Sequence, residues 1–525
     1  MLLETVNPNR VLLIAPVVYR GRAYPCVGLG YIGAYLDREE VDVRIVDTNY
    51  TGENASEALA AEAPCIVGIT CEARNIDEAL ALAKEAKKGG HVTVLGGLQV
   101  SLVRQQMLEH DQVDFAIHGE GEVAMAEFVN ALKSGSDYRK VQGLIYRNTP
   151  KEVANGKEVI QVGPKATAPR RLDSLPFPAY HMAGITDIPE YPLITSRHCP
   201  YECTFCTVGT ISTRGQWQKR SAENLVDELI HARRRYNINR FFVADEMFSL
   251  DLKRVKKFCR LLIKKKNSMP WGVMEGLRAD RVDRELCELF LEAGCDWVVF
   301  GIETVDPEVF EGITKGETIS KVHDAIAIAK EAGIKVGGYF VVGLPNSTYE
   351  RDLAAIEYVK SANLDNGVFW MANPYLGTPM HSWVVQNAKI LRSPTGDNIV
   401  NSLSTMPLFE MDHYKASEIK RAHARANLRM GHHSFYYDPH DDSTLSVLRH
   451  WLRVGWMFLR YDPSSLPRYL LRPGTIKPWH HAQKEGREQQ PGWRGWLTQR
   501  RPDALNRQSG QEASLRGLAE ESLRD

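Results

Sequence analysis

The chain has 525 residues, 43% hydrophobic and 25% charged, an ordinary globular composition. At roughly 100–200 residues per domain this leaves room for two to four domains. Lys plus Arg and Asp plus Glu each number 65, so the formal net charge is zero, which argues against a dedicated nucleic-acid binder. No apolar run reaches the roughly 18 residues of a membrane-spanning helix. The start Met1-Leu2-Leu3-Glu4-Thr5 lacks the basic end and apolar core of a secretory signal, so a cytoplasmic protein is expected.

The first 135 residues alternate short apolar runs with amphipathic stretches. Strands are expected at Val11–Pro16, Val43–Asp47, Cys65–Thr70, Val92–Gly96 and Val113–His118, with helical patterns such as Ile76–Ala86 and Val123–Leu132 between them. Continuous apolar strands separated by helices indicate parallel βαβ units with both sheet faces covered. They predict a doubly wound, Rossmann- or flavodoxin-like α/β domain over residues 1–140, with its ligand at the carboxyl ends of the strands. Three of those ends carry loop chemistry: Thr70-Cys71-Glu72, Gly96-Gly97-Leu98-Gln99 and His118-Gly119-Glu120-Gly121-Glu122.

Residues 141–185 read as a connector, with hairpin character at Gly143–Tyr146 and Val159–Val162 and a Pro-rich end, Leu175-Pro176-Phe177-Pro178. A second alternating series fills residues 186–410. Its strands are expected at Pro192–Ser196, Arg240–Ala244, Gly272–Glu275, Asp296–Phe300, Lys335–Val342 and Val368–Met371. Its helices are expected at Ala222–Tyr236, Leu252–Lys265, Arg284–Ala293, Ile319–Ala332 and Tyr349–Ser361. Six β/α units in so short a stretch suit an open, partial (β/α)6 barrel of the TIM type, with its chemistry at the strand C-termini.

Residues 411–480 read as mainly helical, and residues 481–525, rich in Gln, Arg and Gly, as disordered. Within 445–461, LSVLRHWLRVGWMFLRY, residues Arg449, Arg453 and Arg460 share a helical face. That pattern suits a basic amphipathic helix in peripheral contact with a membrane, or a lid over an anionic or lipid-like substrate. The plainer reading is a helix packed on the barrel with an exposed Arg edge.

Nine cysteines make no disulfide framework in a chain this long. Six are scattered, and three, Cys199, Cys203 and Cys206, crowd the loop after the first strand of the second series: Ser196-Arg197-His198-Cys199-Pro200-Tyr201-Glu202-Cys203-Thr204-Phe205-Cys206. In a reducing compartment such crowding favours a metal site over a bridge. Three thiolates at these spacings can ligate three irons of a [4Fe–4S] cubane and leave the fourth open to an exogenous ligand. The competing reading is a zinc site completed by His198, although a histidine abutting Cys199 strains a four-ligand tetrahedron.

This cysteine spacing, with the aromatic Phe205 before the third cysteine, resembles the signature of the radical S-adenosylmethionine (SAM) enzymes. The resemblance implies that SAM chelates the open iron and is cleaved to a 5′-deoxyadenosyl radical, which the barrel shields from water. It also implies roles for four strand-end segments. Asp245-Glu246 would meet the cofactor amino group, or else cap the helix at Leu252. Arg278 would meet the cofactor carboxylate, or else pair with Asp280 or Asp283. Gly301-Ile302-Glu303 resembles the segment that reaches the ribose, and Gly343-Leu344-Pro345 the adenine-side turn.

Pro25–Tyr35 (PCVGLGYIGAY), Gly96-Gly97 and Gly119–Glu122 resemble the cobalamin-binding domain that precedes the barrel in one branch of that family. The match runs in order over residues 1–410. It implies that Thr70, Cys71, Gly96, Gly97, Gln99, Gly119 and Glu120 line the corrin site, with the glycines admitting a close approach of backbone. No Asp-x-His-x-x-Gly segment offers a lower-face histidine, and Gln99 stands near the place where relatives often carry one.

Cobalamin beside a radical generator implies methylation of an unactivated carbon in a small-molecule or lipid-like intermediate, with flavodoxin or ferredoxin as electron donor. A cobalamin-dependent cyclase or oxidase, like the anaerobic magnesium-protoporphyrin ester cyclase, would share these motifs. A tRNA methylthiotransferase would need a second cluster, for which Cys26, Cys65 and Cys71 are the available ligands. A cobalamin or redox sensor would need an output module, and the sequence shows no helix-turn-helix.

Overall fold

A computed structural model of the chain describes residues 5–17, 24–154, 159–164, 171–211, 217–394, 406–430, 452 and 455–463. The first sheet contains β1 (Asn7–Ala15), β2 (Asp42–Asp47), β3 (Cys65–Thr70), β4 (Val92–Gly96), β5 (Phe115–Ile117), β6 (Leu144–Arg147) and β7 (Ile160–Val162). Their order is β2-β1-β3-β4-β5-β6-β7. The first five are parallel, in the flavodoxin-like arrangement whose ligand crevice opens where the winding reverses, between β1 and β3. On β1, Val11, Leu13 and Ala15 enter one core with Leu29, Leu36 and Phe128. Leu12 and Ile14 enter the other with Val67, Ile69 and Leu82. Burial on both faces is why these strands read as unbroken apolar runs.

The hairpin expected within the connector belongs to this sheet. β6 pairs antiparallel with β5, Phe115 opposite Tyr146, and β7 pairs antiparallel with β6. Leu144 and Ile145 are fully buried. Their removal from water draws the hairpin onto the sheet edge.

The second sheet holds β8 (Tyr191–Leu193), then, after a small ribbon of β9 (Ser196–Arg197) and β10 (Gln218–Lys219), β11 (Phe241–Val243), β12 (Trp271–Leu277), β13 (Cys295–Glu303), β14 (Lys335–Val342) and β15 (Asn366–Met371). The order β15-β14-β13-β12-β11-β8 is sequential and every pairing is parallel, as in an open barrel. The intervening helices begin on side-chain caps. Ser221, Asp251, Asp283, Thr318 and Thr348 each accept a backbone N–H of the first turn. Asp251 is thus the cap at Leu252, and Asp245 and Glu246 are free of that task.

On the helix-covered face Phe241 stacks on Trp271 at 5.3 Å, amid Phe258 and Phe290. On the opposite face Phe242, Met274, Trp297 and Val299 line the barrel interior with Tyr339. Tyr24 joins them from the first domain, its ring 5.1 Å from that of Phe242.

A short ribbon of β16 (Lys389–Ile390) and β17 (Phe409–Glu410) leads to the helix Ala416–Arg429, which packs on β15 and on the helix Tyr349–Ser361. Residues 455–461 are helical and pack Met457 and Phe458 on Ala424 and Leu428. The tail expected at 481–525 lies outside the described residues. No described helix is long and apolar enough to cross a membrane.

Candidate active site

The carboxyl ends of the two sheets face each other. Tyr24, after β1, reaches Phe242 of the barrel. Arg74, after β3, acts electrostatically on Glu275 of β12. Glu120, after β5, is ion-paired to Arg197 at the start of the cysteine loop. One cleft therefore receives the loops of both domains.

The cysteine loop leaves a rigid strand end. Asp245 is fully buried and accepts the Thr195 N–H at 2.5 Å, the Ser196 hydroxyl at 2.7 Å and the Thr195 hydroxyl. Its carboxylate is thereby engaged by the fold and anchors the strand end from which the loop leaves. Farther along, Thr204 N–H donates to the Ile313 carbonyl at 3.0 Å and Met380 N–H to the Thr204 carbonyl at 2.9 Å. The Thr314 hydroxyl donates to the Glu202 carbonyl at 2.8 Å. Phe205 packs against the barrel core.

Cys199, Cys203 and Cys206 are half-buried. Burial pushes all three thiols up, Cys203 and Cys206 to about 11. A bound metal reverses that preference, because it holds its thiols deprotonated. Among the described residues no three His, Cys, Asp or Glu side chains converge tightly enough to hold one metal ion. His198 Nε2 lies 3.4 Å from the Glu120 carboxylate. The donor set fits a [4Fe–4S] cluster.

Glu246, beside the anchored Asp245, is solvent-accessible in the cleft. Surrounding protein together with Asp245 and Glu120 holds its carboxyl up, at about 7. Glu303 ends β13 with φ +66, a strained conformation for a side-chain-bearing residue. Lys315 Nζ bonds the Gly301 carbonyl and lies 3.2 Å from Glu303. Burial works against the Lys315 charge, and Glu303 and Glu317 outweigh it.

Arg278 is held by several partners at once. Its Nε donates to Asp280 at 3.0 Å, its terminal nitrogens to the carbonyls of Lys315 and Gly316 at 2.8 and 2.9 Å, and its guanidinium covers the Tyr201 ring at 3.5 Å. Of the roles the sequence offered, the pairing with Asp280 is present, and Arg278 also pins the 315–317 turn to the cysteine loop. Gly343, at φ +81, donates its N–H to Asp352 at 2.8 Å. Tyr414 also donates to Asp352, at 2.8 Å, so the C-terminal region braces this turn.

In the first domain, Cys71 N–H donates to the Gly96 carbonyl at 2.7 Å and Gln99 N–H to the Cys71 carbonyl at 3.0 Å. Gly97 takes φ +100, and a Cβ there would stand 2.8 Å from the Cys71 carbonyl oxygen and 3.0 Å from the Thr70 hydroxyl. Only glycine lets these two loops meet. Ser101 joins the third: its hydroxyl donates to the Gly97 carbonyl at 3.1 Å and accepts the Gly119 N–H at 3.0 Å. The result is a continuous backbone cradle at the crevice, consistent with a bulky corrin. Gln99 is buried within it, and Cys71 is buried with its thiol pushed up to about 12.

Sequence reasoning left out Ser101, Arg197, Lys315 and Glu275. Glu275 is the charged residue of the otherwise apolar β12, and it is solvent-accessible where its neighbours Val273 and Met274 are buried. Cys65 and Cys71 lie at opposite ends of β3, roughly 20 Å apart at ~3.3 Å per residue. They cannot share the second cluster of a methylthiotransferase.

Comparison with known proteins agrees with this geometry. Residues 193–359 match the radical SAM superfamily, and residues 16–129 match the B12-binding domain. An uncharacterised methyltransferase of Pyrococcus horikoshii is 28% identical over 430 residues, covering 80% of this chain and 89% of that protein. The anaerobic magnesium-protoporphyrin IX monomethyl ester cyclase of Rubrivivax gelatinosus is 29% identical over 398 residues, covering 70% and 68%. The fold is shared with TsrM of Kitasatospora setae, a radical SAM methyltransferase solved with tryptophan and a SAM analogue, at TM-score 0.61 and 19% identity over 73% of this chain and 79% of that one. With its cysteine loop and its glycine cradle opening on one cleft, the chain belongs to the radical SAM superfamily, among the members that carry an N-terminal B12-binding domain.

Proposed function

We propose that the protein is a C-methyltransferase acting on an unactivated carbon of a small-molecule or lipid-like intermediate. One observation carries the reading: the cysteine loop and the glycine cradle open on the same cleft, joined by Arg197. When bound, the cluster with SAM supplies a carbon-centred radical and cobalamin supplies a methyl group. The chain's own residues then have distinct tasks. Cys199, Cys203 and Cys206 hold the cluster, Glu246 faces the cationic end of SAM, and Glu303 with the Gly343 turn orients its nucleoside. Gly96, Gly97, Gly119 and Gln99 seat the corrin. The apolar floor of Phe242, Met274, Trp297 and Val299 keeps water from the reacting carbon. A low-potential donor such as flavodoxin or ferredoxin would supply electrons.

The test begins with anaerobic purification in the presence of hydroxocobalamin and quantification of iron, sulfide and corrinoid. The holoenzyme, a reductant and SAM labelled in its methyl group with deuterium are then incubated with a lipid and metabolite extract from cells lacking the protein. A product bearing the intact labelled methyl group supports the reading, and iron without corrinoid overturns it. An oxidised or cyclised product without label would favour the cyclase reading, for which the likeness to the Rubrivivax gelatinosus enzyme is the supporting observation.

A further inference from the structure

The helix at residues 455–461 has two unlike faces. Inward, Met457 and Phe458 are buried on Ala424 and Leu428. Just past its end Asp462 accepts from Arg429 at 2.9 Å, which fixes the helix's rotation. Outward, Leu452, Trp456 and Leu459 are 66, 40 and 61% exposed, at the i, i+4, i+7 spacing of one helical stripe. Of the eight strongly exposed large hydrophobics among the described residues, three fall on this stripe, so the exposure is concentrated and not scattered. Arg460 is exposed beside them, its guanidinium 5.2 Å from the Trp456 ring centre.

The charge of the segment selects the occupant. Residues 445–461 contain three arginines and no aspartate or glutamate. A protein surface would be met by charges of both signs, whereas a segment whose charged residues are all arginines, set among leucines and tryptophans, matches a layer with acyl chains below and anionic phosphates above. Tryptophan suits that boundary because its ring is apolar and its N–H wet. An arginine stem lies along apolar surface while its head stays with the phosphates.

We propose that this face docks the enzyme peripherally on an anionic lipid surface, with Leu452, Trp456 and Leu459 at the acyl boundary and Arg460 at the headgroups. The neighbouring helix Ala416–Arg429 carries the docking helix on Ala424 and Leu428 and packs Ile419 against Gly343. The inference stands whether or not the product is methylated.

The test is co-sedimentation of the full-length holoenzyme with vesicles of phosphatidylglycerol and phosphatidylcholine, and with vesicles of phosphatidylcholine alone. Binding is expected to the anionic vesicles, weakened about tenfold or more on pure phosphatidylcholine or in high salt. A Trp456→Ser/Leu459→Ser variant with normal corrinoid content is expected to lose about tenfold or more. Wild-type protein that stays in the supernatant, or a double variant that binds as well as wild type, overturns the proposal. So does a wild-type dimer, seen by light scattering, that the double variant dissolves without vesicle binding, because the face would then join two copies. If the double variant loses its fold, Trp456→Phe replaces it. Quenching of tryptophan fluorescence by brominated lipid that falls in this variant supports docking, and unchanged quenching overturns it.

Discussion

Arg197, two residues before the first cluster cysteine, donates to Glu122 at 2.6 Å and so ties the cysteine loop to the helix that follows β5. Both side chains are largely buried, 13 and 4% exposed. Burial opposes the Arg197 charge, and Glu122 with Glu120 outweighs it, so its pKa is raised. Removing one partner of a buried pair typically costs ~3–5 kcal/mol, since the other charge is left uncompensated. Arg197→Met is therefore expected to lower unfolding stability by roughly 3 kcal/mol and to release corrinoid. Denaturant unfolding and corrinoid retention measure both, and an unperturbed variant would show that the clamp is idle.

Cys206→Ala separates the two cofactors. The expected protein lacks the cluster and all activity but keeps its corrinoid, because the glycine cradle lies on another sheet. Iron, sulfide and corrinoid analysis reads the outcome. Activity retained without a cluster would end the radical mechanism.

Gly97→Ala should do the reverse. Its Cβ would press on the Cys71 carbonyl at 2.8 Å, and the backbone at φ +100, ψ −171, a region essentially reserved for glycine, costs alanine ~1–3 kcal/mol. Corrinoid content is expected to fall while iron stays at the wild-type level. Gly28→Ala is the control: its Cβ meets nothing within 4 Å, and alanine in a helix gains ~0.5–1 kcal/mol over glycine.

With Glu246 at the cationic end of SAM, as proposed, SAM binding is expected to depend on pH. The protein packed around Glu246, with Asp245 and Glu120, holds its carboxyl up at about 7, so below that it is neutral and without attraction for the sulfonium and ammonium charges of SAM. Affinity in the cluster-loaded protein should rise up to about tenfold as pH climbs from about 6 to 8. Glu246→Gln should flatten the profile. A flat wild-type titration would remove Glu246 from the SAM site.

His423 should make the fold acid-sensitive. It is 1% exposed, and burial lowers its pKa from 6.5 to about 4. The neutral ring is retained on folding while the unfolded chain takes up a proton below the unperturbed value. Stability is thus fully present above about pH 6.5 and is lost as pH falls towards 4, with a ceiling of about 3 kcal/mol. Unfolding curves at stepped pH measure the loss, and His423→Gln should reduce its slope. An equal slope in the variant would place the acid sensitivity elsewhere.

Much of the architecture was legible because its signals are periodic. The helices Ala222–Tyr236 and Tyr349–Ser361 and the strand Lys335–Val342 lie where their apolar spacing and caps put them. The ribbons β9–β10 and β16–β17 were not, since two residues carry no period. The cysteine loop was read from spacing alone. Asp245 and Arg278 were ambiguous because their partners are distant in sequence: Thr195 lies 50 residues from Asp245, and the Lys315 carbonyl 37 from Arg278. Arg197 stood within the quoted cysteine segment, but its role depends on carboxylates 75 and 77 residues away. Glu275 did leave a trace, a charge inside an apolar strand, which a strand buried on both faces would exclude.

Tyr24 has a consequence for anyone treating the two domains as interchangeable parts. Its ring, supplied by the first domain, closes part of the barrel's apolar floor against Phe242. Tyr31, from the same domain, lies 3.1 Å from buried Arg220, which also neutralises Glu228 at 2.5 Å. A barrel cut free would expose an oily well and strip Arg220 of a partner. A chimera joining this barrel to another corrinoid module would have to import Tyr24, Tyr31, Glu120 and Glu122 with the graft. Recombination between relatives should therefore succeed when the crossover falls outside this set and fail when it divides it.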